Sequence, residues 1–163
     1  MAREKKIIIN PYSELPGYNC FGCSPNNKLG LRMTFFEEGE YVVSEWSPSD
    51  HLAGYKKVLH GGIQATLLDE IASWCVQIKL KTAGVTANLN LRYKKAVFVD
   101  EGDVLLKARI EKVERRIACV ATELYNHDGE LCCGGDVKYF LYPEEIAREK
   151  LYFPGFEKFF SEK

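Results

Sequence analysis

The sequence predicts an α+β domain in which one long helix lies on a curved antiparallel sheet. Apolar side chains recur at three- and four-residue steps over residues 61–80, which predicts a helix that ends near Gly84. After that helix the apolar period changes to two. This change predicts four antiparallel strands at residues 85–93, 104–110, 117–125 and 131–141. The run Asn126-His127-Asp128-Gly129 between the last two strands is typical of a hairpin turn.

The region before the helix is rich in prolines and glycines. Residues 1–29 are predicted to be irregular because these breakers recur along them. Two strands are predicted at residues 31–36 and 41–46, joined by a turn at residues 37–40. Residues 48–59 are predicted to form a loop that leads into the helix.

The region after the last strand is short and aromatic. Residues 143–150 are predicted to form a short helix. Residues 151–160 carry five aromatic side chains, which either pack on this chain or a neighbouring subunit, or cover a binding groove. The chain is therefore divided into an irregular segment (1–29), one domain (30–143) and a C-terminal extension (144–163).

Composition excludes several classes of protein. A chain of 163 residues suits one domain, and 46% hydrophobic with 28% charged residues is typical of a soluble globular protein. The 22 basic and 23 acidic residues argue against a nucleic-acid binder, which has a basic excess. The first ten residues lack the apolar core of a signal peptide, and no run reaches the roughly 18 apolar residues of a membrane span. We therefore expect a cytoplasmic protein with no membrane partner.

Six cysteines are present, and we expect them to be buried, reduced thiols. Cys20 and Cys23 form a lone CxxC pair, which cannot by itself fill a tetrahedral zinc site. Loop residues follow this pair, whereas a redox CxxC normally opens a helix. The sequence therefore predicts neither a metal nor a cofactor.

The helix carries two adjacent acids with different predicted surroundings. Asp69 lies in a band of small residues: Gly62, Ala65, Ala72 and Val76. A carboxylate there is partly withdrawn from water, which suits a general base, although it could equally be a solvated surface acid. Glu70 lies about 100° further round the helix. Its stripe is predicted to be solvated or hydrogen-bonded: Thr66, Ser73 and Gln77. Asp69 rather than Glu70 is therefore predicted to carry the chemistry.

The run His60-Gly61-Gly62 precedes the helix. Two glycines leave the backbone N–H groups of the helix N-terminus unobstructed, so these groups and the helix dipole can stabilise an oxyanion. The alternative is a glycine-rich turn in which His60 is only a polar cap.

Together, His60-Gly61-Gly62 and an aspartate nine residues after the histidine resemble the signature of hotdog-fold thioesterases of the phenylacetic-acid-degradation (PaaI-like) type. The run Val85-Thr86-Ala87-Asn88-Leu89-Asn90 resembles the next strand of that family. The loop from His51 to His60 is most similar to the branch that contains human thioesterase superfamily member 4. The resemblance covers roughly residues 18–142. It implies a hotdog fold, with a central helix wrapped by the sheet, and hydrolysis of acyl-CoA thioesters.

The resemblance also implies a role for each motif residue. Asp69 would act as base on a water molecule or as nucleophile, and Gly61 or Gly62 would donate an N–H to the thioester carbonyl. His60 would orient the loop, and the partner subunit's Thr86 would help to position the water. Such sites form between two subunits, so we expect a homodimer at minimum and a dimer of dimers. The band of small residues and the strands at 85–93 and 104–110 are expected to meet the partner.

Substrate contacts are expected from polar and basic residues near these motifs. His51 stands where many family members carry an asparagine that contacts the thioester, and Asn88 lies on the strand after the helix. CoA phosphates require basic residues at the rim of the site. The candidates are Lys56, Lys57, Lys94, Lys95, Arg115 and Arg116, of which Lys94, Arg115 and Arg116 are taken as substrate-binding.

Two other functions are compatible with the same fold. One is a hydroxyacyl-thioester dehydratase, whose histidine and carboxylate have a different arrangement from the one found here. The other is a non-catalytic acyl-CoA-binding hotdog module attached to a DNA-binding segment. Residues 1–29 are too short and too broken for a helix-turn-helix, and the presence of Asp69 favours catalysis.

Overall fold

The computed structural model describes residues 4–161. The elements are β1 (Lys6–Ile8), β2 (Phe35–Glu38), β3 (Tyr41–Trp46), α1 (Gly61–Leu80), β4 (Gly84–Tyr93), β5 (Val104–Glu114), β6 (Ile117–Tyr125), β7 (Leu131–Leu141) and α2 (Glu144–Leu151). Two short 3-10 turns lie between them, Pro11–Glu14 and Asp50–Leu52, and a third, Phe156–Phe159, follows α2. Within the described range, neither helix has the length and apolar character needed to span a bilayer.

The seven strands form one antiparallel sheet in the order β1-β2-β3-β5-β6-β7-β4. The helix α1 packs against β3 to β7. The predicted class, one long helix on an antiparallel sheet, is therefore confirmed. The sheet edges are β1 and β4, whereas β5 lies in the interior between β3 and β6. The expectation that residues 104–110 extend the sheet across subunits is wrong, because both backbone edges of β5 are already paired.

The helix α1 spans the predicted residues but ends differently. Its last turn stops at Lys81, which adopts the left-handed conformation with φ 54°. Gly84 is the first residue of β4 rather than the helix stop. A side chain at Gly84 would collide with the backbone carbonyl of Phe140 on β7. This glycine therefore permits close strand pairing and does not terminate the helix.

Burial on α1 extends beyond the large apolar side chains that recur at three- and four-residue steps. Ala72 and Val76, from the band of small residues, are already buried within the chain. Trp74 stacks on Phe35 at 4.5 Å between ring centroids and meets the edge of Phe159 at 5.5 Å. The C-terminal half of the helix is enclosed by its own chain, so it needs no partner there.

The two ends of the described chain contribute to this enclosure. The predicted irregular segment contains β1, which pairs with β2 and is too short to give a periodic signal. The backbone N–H of Ile9 donates to the carbonyl of Phe159 at 2.8 Å. Phe153 and Phe159 are buried, so the aromatic tail packs on its own chain. All six cysteines are free; five are buried as expected, whereas Cys20 is only partly buried.

Candidate active site

The N-terminus of α1 is capped by the side chain of His60. Its Nδ1 accepts a hydrogen bond from the Gly62 N–H at 2.9 Å. The backbone N–H of His60 donates to Leu52, and that of Leu59 donates to Val97. These bonds fix the entry to the helix and occupy the Gly62 N–H. Of the two predicted oxyanion donors, Gly61 is therefore the one whose N–H donates to no acceptor within residues 4–161.

Tyr93, which the sequence did not single out, lies against Gly61. Its hydroxyl donates to the Gly61 carbonyl at 2.6 Å. A Cβ placed on Gly61 would lie 3.5 Å from the Tyr93 ring, which is ordinary van der Waals contact. A pocket of about 360 Å³ opens beside this glycine. Its lining consists of Gly54, Tyr55, Val58, Leu59, His60 and Gly61.

The Asp69 carboxylate is half-buried and held at one oxygen. Thr86 Oγ1 donates to Asp69 Oδ1 at 2.8 Å, and the Tyr139 hydroxyl donates to the same oxygen at 2.7 Å. Within the described residues, Asp69 Oδ2 accepts no hydrogen bond. One oxygen is therefore fixed in position while the other is available to a water molecule or an acyl group.

Thr86 reaches Asp69 from its own chain, because β4 returns along α1 directly after the helix. The Thr86 that was expected to act from the partner subunit therefore contacts the Asp69 carboxylate of its own chain. A register shift between Thr86 and Asn88 marks a bulge at Ala87. Bulges re-aim the side chains beside them, and this one adjoins the hydroxyl that contacts Asp69.

Tyr139 is the second residue of the site that no sequence motif indicated. Burial and the neighbouring Asp69 carboxylate raise the pKa of Tyr139, so its hydroxyl remains a proton donor at neutral pH. It lies opposite Thr86 across the β4–β7 pairing. The alternation of β7 places Tyr139 on the same face as buried Val137, but only the pairing of β4 with β7 shows that it reaches the helix.

Phenylalanine in place of Tyr139 should lower kcat for a reaction that uses the Asp69 carboxylate by about ten- to a hundredfold, and should change KM much less. The reason is that a hydrogen bond to a charged group contributes about 1.5–3 kcal/mol. Steady-state kinetics, together with a thermal melt to confirm folding, measures this. The matched control is Tyr125→Phe, whose hydroxyl donates to Glu123 instead. Equal kinetics for the two variants would show that Tyr139 does not position Asp69.

Of the two predicted surroundings of Glu70, solvated or hydrogen-bonded, the structure has the second. Cys20 and Cys23 lie over it, and the Trp74 Nε1–H donates to its Oε1 at 3.1 Å. Burial raises the pKa of Glu70 to about 7. The stripe is hydrogen-bonded but largely covered, because the N-terminal segment folds over this side of α1.

Gly61 and Asp69 are eight residues apart on one helix, which corresponds to roughly 12 Å along its axis. One thioester carbon cannot contact both groups, because each must lie about 3 Å from the reacting atoms. Gly61 and Asp69, which the sequence motif groups together, are therefore too far apart within one chain to act on the same thioester.

The predicted substrate-binding residues lie on exposed surfaces. His51 is exposed and its Nδ1 lies 3.1 Å from Ser49 Oγ. Asn88 lies on β4 and Lys94 directly after it, both exposed. Arg115 lines a broad groove with Ala87 and Lys138, and Arg116 follows it in the β5–β6 turn. Among the other basic candidates, Lys57 pairs with Asp100 and Lys95 with Glu130.

The chain is similar to thioesterase superfamily proteins in both sequence and structure. Residues 56–133, which include His60, Asp69 and Thr86, match the family model described as thioesterase superfamily. A solved thioesterase superfamily protein is 24% identical, with a TM-score of 0.67 over 73% of this chain. The chain has the hotdog fold. It spans 58% of the length of that protein.

Two other hotdog structures are similar over more of their own length. Zebra fish thioesterase superfamily member 2 is 25% identical, with a TM-score of 0.64 over 80% of this chain and 90% of its own. A hypothetical thioesterase from Streptococcus pneumoniae, solved with coenzyme A, is 25% identical. Its TM-score is 0.60 over 64% of this chain and 80% of its own. A search of curated proteins finds no significant match.

Proposed function

We propose that the protein hydrolyses acyl-CoA thioesters to a free acid and CoA, with Asp69 as the catalytic carboxylate. The observation that carries the proposal is the Asp69 side chain, whose Oδ1 is held by Thr86 and Tyr139 while Oδ2 is free for chemistry. The match of residues 56–133 to the thioesterase superfamily and the coenzyme A in the S. pneumoniae structure support it.

Two routes use the free carboxylate oxygen. In the first, Asp69 accepts a proton from water as the water oxygen adds to the thioester carbonyl. The tetrahedral adduct then breaks its C–S bond and expels the CoA thiolate, which takes up the proton. In the second, Asp69 attacks the carbonyl, expels the CoA thiolate and forms an anhydride that water then hydrolyses. In both, the negative charge that develops on the carbonyl oxygen is stabilised by the Gly61 N–H and the N-terminal dipole of α1.

We further propose that the site is shared between two subunits. The separation of roughly 12 Å between Gly61 and Asp69 along one helix requires one of the two groups to come from another chain. The strand β4 offers the contact surface, because it is an edge strand and its side chains Val85 and Leu89 are exposed. Two β4 edges paired about a two-fold axis would form an isologous homodimer, which could pair again as a dimer of dimers.

In solution the protein should have a mass of at least about twice the 18.6 kDa of one chain. Light scattering at micromolar concentration measures this mass. Because β4 is proposed as the interface, a proline at Leu89 should lower the mass towards one chain. The Asn90 carbonyl faces Gly135 on β7, so the backbone N–H of the neighbouring Leu89 faces the free edge of β4. A monomeric wild-type protein would contradict the shared site.

The CoA moiety is proposed to lie along the exposed basic residues near the β4 end of the sheet. Arg115 and Lys138 line one groove with Ala87, next to the Thr86 that holds Asp69. Arg116, Lys94, Asn88 and His51 complete the proposed set of substrate contacts. Free guanidinium and ammonium groups suit the phosphates of CoA.

The direct test is a panel of acyl-CoAs of varied chain length, including aromatic acyl groups, assayed for release of free CoA. Hydrolysis of at least one member, lost in Asp69→Asn, supports the proposal. Binding of an acyl-CoA without hydrolysis across the panel would favour the non-catalytic module. Reversible hydration of an enoyl-CoA without CoA release would favour the dehydratase.

A further inference from the structure

The loop that covers Glu70 brings together three side chains that bind metals. Cys20 Sγ, Cys23 Sγ and a carboxylate oxygen of Glu70 all lie within 4.8 Å of one another. The sequence offered only the CxxC pair, because Glu70 is 50 residues away from Cys20 in the chain. Folding of the N-terminal segment onto α1 supplies the third donor.

The backbone of the loop at residues 20–24 places the sulfurs of Cys20 and Cys23 next to the Glu70 carboxylate. The N–H groups of Gly22 and Cys23 face the Cys20 sulfur, and the Ser24 N–H donates to the Cys20 carbonyl at 3.1 Å. The Gly22 carbonyl accepts from the Met33 N–H at 2.9 Å, which ties the loop to the chain that follows. A Cβ on Gly22 would lie 2.5 Å from the Glu70 carboxyl group. A side chain at this position would push the Glu70 carboxyl group aside, so glycine leaves that group in its place beside the loop.

The distance between Cys20 and Glu70 is the one expected between two ligands of a tetrahedral metal ion. Zinc binds sulfur at about 2.3 Å and carboxylate oxygen at about 2.0–2.2 Å, so neighbouring sulfur and oxygen ligands are about 3.5 Å apart. Cys20 Sγ and Glu70 Oε1 are 3.5 Å apart. Two thiolates with one carboxylate suit zinc better than magnesium or calcium, which prefer oxygen ligands throughout.

A fourth ligand can reach the cluster from solvent. Cys20, Cys23 and Glu70 line a cleft of about 250 Å³ together with Ser73 and other residues of α1 and the two chain ends. The Tyr18 hydroxyl lies 2.9 Å from Cys23 Sγ at the edge of the same cluster. Water from the cleft would complete the coordination, with Tyr18 as its neighbour.

We propose that Cys20, Cys23 and Glu70 bind one zinc ion, with a water molecule as the fourth ligand. The ion would fasten the N-terminal loop to α1 on the side of the helix next to Asp69. This site is separate from the proposed thioesterase chemistry, and its test does not depend on activity.

The test uses the full chain, purified with a non-thiol reductant, stripped with a chelator and titrated with zinc chloride or cobalt chloride alone. We expect one zinc per chain by elemental analysis. Cobalt should give the intense visible bands of a tetrahedral ion and the near-ultraviolet thiolate charge-transfer band. Glu70→Gln and Cys23→Ser should each abolish stoichiometric binding, and Glu70→Gln leaves the loop sequence intact if the serine variant fails to fold.

Cys119→Ala is the matched control, because Cys119 belongs to the other cluster of possible ligands within residues 4–161, with Glu111 and Asp136. This variant should keep its zinc and its cobalt spectrum. Loss of metal in Cys119→Ala with retention in Glu70→Gln would assign the ion to the second cluster and overturn the proposal. Absence of binding by the reduced wild-type chain at micromolar metal would also overturn it.

Discussion

Asparagine in place of Asp69 should lower kcat for acyl-CoA hydrolysis by roughly 10²–10⁴, the range for loss of a positioned base. The amide oxygen can still accept the hydrogen bonds that Thr86 and Tyr139 now give to Oδ1. The amide nitrogen then replaces Oδ2, the only carboxylate oxygen free for chemistry. The variant should therefore fold and bind substrate like the wild type while it loses the base or nucleophile.

Steady-state kinetics on the best substrate of the panel, with a binding isotherm for CoA, separates these effects. Asp128→Asn makes the same chemical change in the exposed β6–β7 turn and should leave kcat unchanged. If Asp69→Asn retained wild-type kcat, the chemistry would have to be assigned to another group.

Proline in place of Gly61 should lower kcat by roughly 10²–10³, as expected for loss of one oxyanion donor. Proline removes the N–H but is well tolerated at the first position of a helix. His60 already has the extended conformation that precedes prolines, with φ −57° and ψ 134°. Gly61→Ala is the matched control, because it keeps the N–H and its Cβ meets Tyr93 only at van der Waals distance. Equal activity of the proline and alanine variants would exclude this N–H from the reaction.

The same variants test whether the site is shared. In a dimer with one Asp69→Asn chain and one Gly61→Pro chain, one site receives both substitutions and the other receives neither. Dimers isolated through two different affinity tags should therefore recover about half of the wild-type activity, although each parent is nearly inactive. If both groups acted within one chain, the mixed dimer would remain as inactive as its parents.

Local patterns in the sequence were sufficient to predict most of the helices and strands. The strands β6 and β7 have the predicted bounds, and the helix α1 begins where it was predicted, because apolar periodicity is a property of consecutive residues. The three-residue strand β1 was missed, since it is too short to show a period. The helix end was placed near Gly84 because a left-handed Lys81 has no sequence signature.

The residues around Asp69 and Glu70 depend on contacts between distant segments. Tyr139 reaches Asp69 only because β4 pairs with β7, and Glu70 is covered only because residues 18–23 fold back over α1. Neither arrangement can be deduced from the spacing of residues along the helix. The sequence therefore identified the carboxylate proposed to react but not the groups that hold it.

The strand order determines when each strand can pair as the chain is synthesised and folds. The strand β4 is made immediately after the helix, yet its only partner within the described chain is β7 at residues 131–141. During synthesis β5 can pair with β3, and β6 with β5, while β4 still has two unsatisfied backbone edges. Such non-local closure slows folding and leaves a strand open to aggregation in the meantime. One edge of β4 is paired when β7 is made, and in the proposed dimer the other edge is paired only when a second chain binds.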